Sequence, residues 1–155
     1  MEKILISACL YGEAVRYDGG DQKIADPILA QWRAQDRLIV LCPEVAGGLS
    51  VPRKPCERDL KTGRIFSKDG EEFTAAFKRG AQEALKLVKK HHIGFALLKE
   101  RSPSCGVNLI YDGHFTSTKI KGSGICASLL KENGVQVYSE EDIERLKEDL
   151  KALPE

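Results

Sequence analysis

The chain has no apolar run long enough to cross a bilayer, no excess of charge of either sign, and no internal repeat or low-complexity tract. The lack of a long apolar run excludes an ordinary transmembrane helix, so we expect no membrane partner. With 24 basic and 23 acidic residues the net charge is +1, which argues against a strongly basic nucleic-acid-binding surface. The opening residues Met1-Glu2-Lys3 do not resemble a signal peptide, and we therefore expect a cytoplasmic protein.

Closely spaced cysteine pairs are also missing. The five cysteines form no Cys-x-x-Cys pair and match no zinc-finger or ferredoxin spacing. An odd number of cysteines in a reducing compartment favours metal binding or catalysis over a disulfide framework. A chain of 155 residues is long enough to build a core without disulfides, and no linker interrupts it. We predict one domain over residues 1–155.

What the sequence does contain is an alternation of strand-like and helix-like segments. This order predicts an α/β fold, a Rossmann-like and mostly parallel sheet flanked by helices, with a small β-hairpin. Buried strands are predicted over 4–6, 38–41, 93–98 and 135–138. Helices are predicted after an N-cap at Asp26, over 71–91, over 123–132, and after a capping box formed by Ser139 and Asp142.

Two irregular regions interrupt this alternation. Residues 109–111 and 114–116 flank Asp112-Gly113, a pair typical of a two-residue hairpin turn. Residues 47–69 are rich in glycine, proline and basic side chains and poor in apolar ones. This composition predicts a long functional loop or a lid.

Three cysteines, Cys9, Cys42 and Cys105, each follow one of the apolar runs. The carboxyl ends of parallel strands open on one crevice, where such sheets bind ligands, so we expect these thiols to meet there. The meeting point is either a metal or cluster site with a vacant position or a redox centre. Thiolates select zinc, copper(I) or iron–sulfur centres. Cys56 lies in the polar region and is expected to be exposed and without a functional role. Cys126 lies on a predicted helix and is expected to be a small buried residue.

Two short motifs place polar groups beside these thiols. In Cys42-Pro43-Glu44 the carboxylate lies two residues from the thiol and faces the same side of an extended backbone. Ser102-Pro103-Ser104-Cys105-Gly106 is a turn sequence that carries two hydroxyls. Each motif also has an ordinary structural interpretation. Cys42 and Glu44 could be a small buried residue beside a solvated carboxylate, and the Ser102–Gly106 segment could be a plain turn. Lys99 and Arg101 are expected to lower the pKa of a neighbouring thiol.

Several motifs, taken together and in this order, resemble the small bacterial family DUF523, some members of which are thiouracil desulfidases. The resemblance extends from Ile4 to about Ser139. The motifs are Ser7-Ala8-Cys9-Leu10-Tyr11-Gly12, Val15-Arg16-Tyr17-Asp18-Gly19, Cys42-Pro43-Glu44, Gly47-Gly48-Leu49, Pro52-Arg53-Lys54-Pro55, Ser102-Pro103-Ser104-Cys105-Gly106, Ile110-Tyr111-Asp112-Gly113 and Gly122-Ser123-Gly124.

The resemblance implies a [4Fe–4S] cluster bound by only three cysteines, which map onto Cys9, Cys42 and Cys105. The fourth iron is then free to bind the sulfur of a thiolated uracil. The implied reaction is non-redox hydrolysis of the C=S bond of 2-thiouracil or 4-thiouracil, which gives uracil and hydrosulfide.

The resemblance also implies that a glutamate and a serine act in catalysis. Glu44 matches the glutamate, and Ser102 is favoured over Ser104 for the serine. Loop residues that are candidates for substrate contacts, or for local turns and salt bridges, are Arg16, Tyr17, Asp18 and Arg53. The substrate is a free base, a nucleoside or a transfer RNA. The near-zero net charge favours a small molecule, because nucleic-acid affinity depends on phosphate neutralisation.

Two other functions fit the same residues. One is a [4Fe–4S]-binding sensor or scaffold, in which Glu44 and Ser102 would be dispensable. The other is a metal-free thiol redox enzyme with Cys42 or Cys105 as its nucleophile. The last is least favoured, because redox cysteine pairs usually lie close together in sequence.

Overall fold

The computed structural model describes residues 1–20, 23–59 and 61–153. The strands of these residues, in chain order, are β1 (Ile4–Ser7), β2 (Leu38–Leu41), β3 (Cys56–Arg58), β4 (Ile65–Ser67), β5 (Phe95–Leu98), β6 (Leu109–Tyr111), β7 (Lys119–Lys121) and β8 (Gln136–Ser139). The helices are α1 (Ala8–Tyr11), α2 (Ile28–Ala34), α3 (Pro43–Ala46), α4 (Thr74–His91), α5 (Ile125–Glu132) and α6 (Ile143–Lys151).

The predicted parallel sheet is confirmed. Its strand order is β2-β1-β5-β8, and all three neighbouring pairs run parallel. Every residue of β1 and β5 is buried, as expected for central strands covered on both faces. Leu5, Ala96 and Leu98 belong to a core cluster with apolar residues of α4 and α5, whereas Ile6 and Leu97 pack in a second cluster with residues of α2 and α6. The fold is therefore an α/β sheet with helices on both faces.

The helices begin and end close to the predicted residues. The Asp26 Oδ1 atom accepts a hydrogen bond from Ile28 N–H at 2.9 Å, as an N-cap should. Ser139 Oγ accepts from Glu141 N–H at 3.1 Å, although a 3₁₀ turn over 140–142 precedes α6. Helix α4 begins three residues after the predicted start, because 71–72 extend the pairing with β4. Among the helices that the structure describes, none combines the length and apolar character needed to span a membrane.

The prediction of a two-residue hairpin turn at Asp112-Gly113 was wrong. Strand β6 does pair with an antiparallel partner, but this partner is β7 and not 114–116. Phe115 and Ser117 have φ angles of 57° and 59°, in the left-handed region, which a strand cannot contain. Residues 112–118 therefore form a longer connection, called here the 112–118 loop.

The interpretation of 47–69 as a loop or lid was also wrong in part. Within this region β3 and β4 form an antiparallel hairpin, and Ile65 is fully buried. Phe73 N–H donates to the Ile65 carbonyl, so the start of α4 packs directly on this hairpin. The hairpin is a packed element that forms one side of the site described below.

Candidate functional site

The three predicted cysteines lie at the carboxyl ends of three neighbouring strands. Cys9 lies in α1 directly after β1, Cys42 is the residue between β2 and α3, and Cys105 lies in the turn that follows β5. Because β2, β1 and β5 are adjacent in the sheet, the three residues line one cavity of about 520 Å³. The structure thus brings together the residues that the strand pattern singled out.

Burial dominates the protonation of these thiols. It raises the pKa of Cys9 to about 11, although Lys99 acts in the opposite direction. Burial likewise raises the pKa of Cys42, and it raises that of Cys105 well above its ordinary value. The expectation that nearby basic residues lower the thiol pKa was therefore wrong for the net effect.

The chemistry of the three thiols suits an iron–sulfur centre. Within residues 1–20, 23–59 and 61–153, no group of three or more histidine, cysteine, aspartate or glutamate side chains could hold a metal ion. Three thiols line the shared cavity, and their all-sulfur donor set suits iron–sulfur chemistry.

The Glu44 carboxylate is held over this cavity by two side chains. Arg53 Nε donates to Glu44 Oε2 at 2.7 Å, and Arg53 Nη2 contacts the same oxygen. Ser102 Oγ donates to the other oxygen, Oε1, at 3.3 Å. The Arg53 side chain is only 9% exposed and that of Glu44 15%, so the ion pair lies largely out of water. The carboxylate consequently has a fixed orientation and a matched positive charge.

The two candidate serines differ sharply in placement. Ser102 lines the cavity, and its Oγ accepts hydrogen bonds from the N–H groups of Ser104 and Cys105 at 3.1 and 3.0 Å. It therefore connects the Cys105 turn to Glu44. Ser104 is fully buried and absent from the cavity lining, and its hydroxyl has no partner among the described residues. Only Ser102 lies where it can reach a ligand in the cavity.

Sequence inspection missed Glu100, which shapes the turn that carries Ser102 and Cys105. Its Oε1 atom accepts from the N–H groups of residues 107, 108 and 109 at 2.7, 2.9 and 3.0 Å. Burial raises the pKa of this carboxyl, but the N–H donors outweigh burial, so the pKa lies below its ordinary value. A buried carboxylate cannot be told from a solvated one in the sequence, because its partners are backbone groups.

The four predicted substrate-contact residues occupy different places. Arg16 and Tyr17 line the cavity, and Arg53 lines it while holding Glu44. Asp18 does not line it; its Oδ1 atom accepts from Gly20 N–H at 2.9 Å, and its other oxygen lies 3.6 Å from Arg16 Nη1. Arg53 N–H also donates to the Tyr17 carbonyl at 2.7 Å. This bond ties the Arg16–Tyr17 loop to the segment that positions the carboxylate.

The remaining cysteines are placed differently from one another. Cys56, expected to be an exposed bystander, is partly buried and lines the cavity, and burial raises its pKa to about 12. Cys126 is fully buried in the apolar core, as expected for a small residue on a helix.

These features define a class of protein, namely an α/β domain with a three-thiol site and an anchored carboxylate at the edge of a parallel sheet. The family model described as 2-thiouracil desulfurase matches residues 4–142, and the chain belongs to this family. The chain is 37% identical over 148 residues to the uncharacterized protein YbbK of Bacillus subtilis (strain 168), an alignment that covers 90% of this chain and 97% of YbbK. It is similar to the solved structure of the [4Fe-4S]-dependent thiouracil desulfidase TudS (DUF523Vcz), with a TM-score of 0.95 and 44% identity over 99% of this chain and 100% of that one.

Proposed function

We propose that the protein is a [4Fe–4S]-dependent thiouracil desulfidase that hydrolyses the C=S bond of a thiolated uracil to give uracil and hydrosulfide. Membership of the 2-thiouracil desulfurase family and likeness to TudS support this activity. The single observation that carries it is the placement of Glu44, bonded to Ser102 and Arg53, in the cavity that Cys9, Cys42 and Cys105 line.

The three thiols would hold the cluster as thiolates after losing their protons. Bound there, the cluster would supply Lewis-acid chemistry toward the thione sulfur. Lys99 near Cys9, and the N–H groups of Glu44 and Val45 near Cys42, favour the thiolate form once metal replaces the proton.

Glu44 acts as the general base in this proposal. Its Oε2 atom is occupied by Arg53, which leaves Oε1 as the atom that accepts a proton from the attacking water. The water oxygen forms a bond to the ring carbon, the C–S bond breaks, and the sulfur leaves as hydrosulfide. Ser102, which donates to Oε1 at 3.3 Å, relays this first proton from Glu44 to the departing sulfur. Glu44 then takes the second water proton as the ring carbonyl forms and releases it to solvent. The reaction consumes one water and needs no electron donor.

The substrate is a small molecule rather than a transfer RNA in this proposal. The cavity volume of about 520 Å³ falls within the range of small-ligand sites, which is about 300–1,000 Å³. A net charge of +1 also provides little phosphate neutralisation. The preference for a small molecule is tested by comparing turnover of 2-thiouracil, 4-thiouracil, 4-thiouridine and thiolated transfer RNA. Faster turnover of the RNA would contradict it.

The first test is the iron and acid-labile sulfide content after strictly anaerobic reconstitution. Wild-type protein should hold about four of each per chain. Cys9→Ala, Cys42→Ala and Cys105→Ala should each lose most of the iron. Cys126→Ala removes a buried thiol that does not line the cavity and is the matched control that should keep it. A folded wild-type protein without iron would reject the desulfidase.

The second test separates the enzyme from a cluster-binding sensor or scaffold. Glu44→Gln keeps the size of the side chain and removes its capacity as a base. It should retain iron and sulfide but lose turnover of thiouracil by about 100-fold or more. Near-normal turnover would remove Glu44 from the mechanism, and a wild-type protein that holds the cluster without turnover would favour the sensor.

A further inference from the structure

One wall of the cavity is formed by the 112–118 loop and the end of β6. Tyr111, Phe115 and Ser117 line the same cavity as the three thiols and Glu44. The chemistry proposed above uses none of these three residues. Their position beside the reacting groups leaves their role to be explained.

Phe115 is held in a conformation that a bulky residue rarely adopts. Its φ angle is 57°, and that of Ser117 is 59°. Left-handed backbone costs a non-glycine residue free energy and persists only where the surroundings fix it. Strain of this kind is concentrated at ligand-binding segments. An aromatic residue placed at this cost on a cavity wall points to a contact with the ligand.

The surroundings that fix Phe115 are on β3. Glu57, which also lines the cavity, accepts hydrogen bonds at Oε1 from Gly113 N–H at 3.0 Å and from Phe115 N–H at 3.3 Å. Gly113 lies so close to the Arg58 carbonyl that an added Cβ would be 3.2 Å from its oxygen. The loop is thus fastened to the β3–β4 hairpin immediately before the aromatic ring.

We propose that Phe115 is a substrate-binding residue on which the pyrimidine ring of the substrate stacks, and that Glu57 is the positioning residue that holds it there. The inference rests on the proposed function and deepens it by assigning the surface that recognises the ring. A pyrimidine is flat and uncharged, so an aromatic face binds it without regard to its exocyclic atoms. Stacking fixes the plane of the ring and leaves the C=S bond free to reach the thiol side of the cavity.

The test uses the cluster-loaded protein with 4-thiouracil as substrate and uracil as an unreactive probe. Phe115→Ala should raise KM for 4-thiouracil and Kd for uracil, measured by calorimetry, about 10- to 100-fold while iron content and kcat stay near wild type. Phe115→Tyr, which keeps the ring, should stay within about threefold. Thr116→Ala changes an exposed residue of the same loop that does not line the cavity and is the matched control.

Glu57 is tested by one variant that removes the acceptor and a second that keeps it. Glu57→Ala removes the acceptor and should raise KM as Phe115→Ala does, whereas Glu57→Gln keeps an amide oxygen and should restore wild-type KM. Phe115→Gly fits the left-handed backbone without strain, so it should fold and still show the raised KM.

Each outcome bears on the proposal. Wild-type KM and Kd in both Phe115→Ala and Phe115→Gly would overturn the stacking role while leaving the desulfidase intact. Wild-type protein that loads its cluster but neither binds uracil nor converts 4-thiouracil would overturn the proposed function and this inference with it.

Discussion

Gly80 of α4 packs directly on the carbonyl oxygen of Pro43. A Cβ atom added at Gly80 would lie 1.8 Å from that oxygen, and one added at Gly47 would lie 2.0 Å from the carbonyl oxygen of Ala76. Helices α3 and α4 thus approach each other backbone to backbone at both ends of the short helix α3. This contact sets the position of α3, and with it the positions of Cys42 and Glu44 at its start.

Gly80→Ala should therefore disturb the site from a distance. A methyl group at this point forces α3 away from α4, and overpacking of this kind costs about 1–3 kcal/mol of the free energy of unfolding. We expect a lower melting temperature and a reduced iron content after reconstitution. Gly94→Ala is the control, since its added Cβ would meet nothing closer than Glu2 Oε2 at 3.8 Å. Full iron content in Gly80→Ala would show that α3 tolerates the shift.

Arg53→Met should separate positioning of the base from contact with the substrate. The substitution removes both contacts to Glu44 Oε2 but keeps the bulk of the side chain. If Arg53 positions Glu44, kcat should fall about 10- to 100-fold at an unchanged KM. A rise in KM at an unchanged kcat would instead make Arg53 the substrate contact that its loop position first suggested. Iron content serves as the control in both cases.

The two serines should respond oppositely to alanine. Ser102→Ala leaves the N–H groups of Ser104 and Cys105 without their acceptor and takes the donor from Glu44, so turnover and melting temperature should both fall. Ser104→Ala removes a buried hydroxyl that has no partner in the described part of the chain. It should keep full activity and gain up to about 1 kcal/mol in the free energy of unfolding. Loss of activity in Ser104→Ala with a normal melting temperature would return Ser104 to the mechanism.

Glu100 makes the stability of the protein depend on acidic pH. Its pKa in the folded protein lies below the ordinary value of 4.5, so the carboxylate stabilises the fold above about pH 4.5 and this contribution is lost as the pH falls through the folded value. Glu100→Gln should lower the free energy of unfolding at pH 7 by about 2–3 kcal/mol. It should also flatten the decline in stability below pH 4.5, measured by urea denaturation. An equally steep decline in the variant would assign the acid sensitivity to other carboxyls.

The strands were predictable because each is a short, buried aliphatic run that its own composition marks. Pairing of β1 with β2 and β5 then follows from the rules of parallel sheets, and so does the meeting of Cys9, Cys42 and Cys105. The resemblance to a family singled out Glu44 and Ser102, which the structure joins by a hydrogen bond.

What the sequence could not show are contacts between residues that lie far apart in the chain. Asp112-Gly113 has the composition of a tight turn, but Glu57, more than fifty residues earlier, binds the N–H groups of the 112–118 loop and opens it. The β3–β4 hairpin was missed because Ile65 is the only large aliphatic residue within its two strands. Arg53 and Glu100 look like ordinary surface charges until their partners are known.

The dispersion of the three cysteines along the chain also fixes the order of events when the protein is made. Ligands grouped in one short segment can capture metal before the rest of a polypeptide folds. Here Cys9, Cys42 and Cys105 lie far apart in the chain, and the pairing of β1 with β2 and β5 brings the strands that precede them side by side. Under the proposed assignment of these cysteines to the cluster, a complete set of ligands is therefore present only in a chain whose sheet has formed.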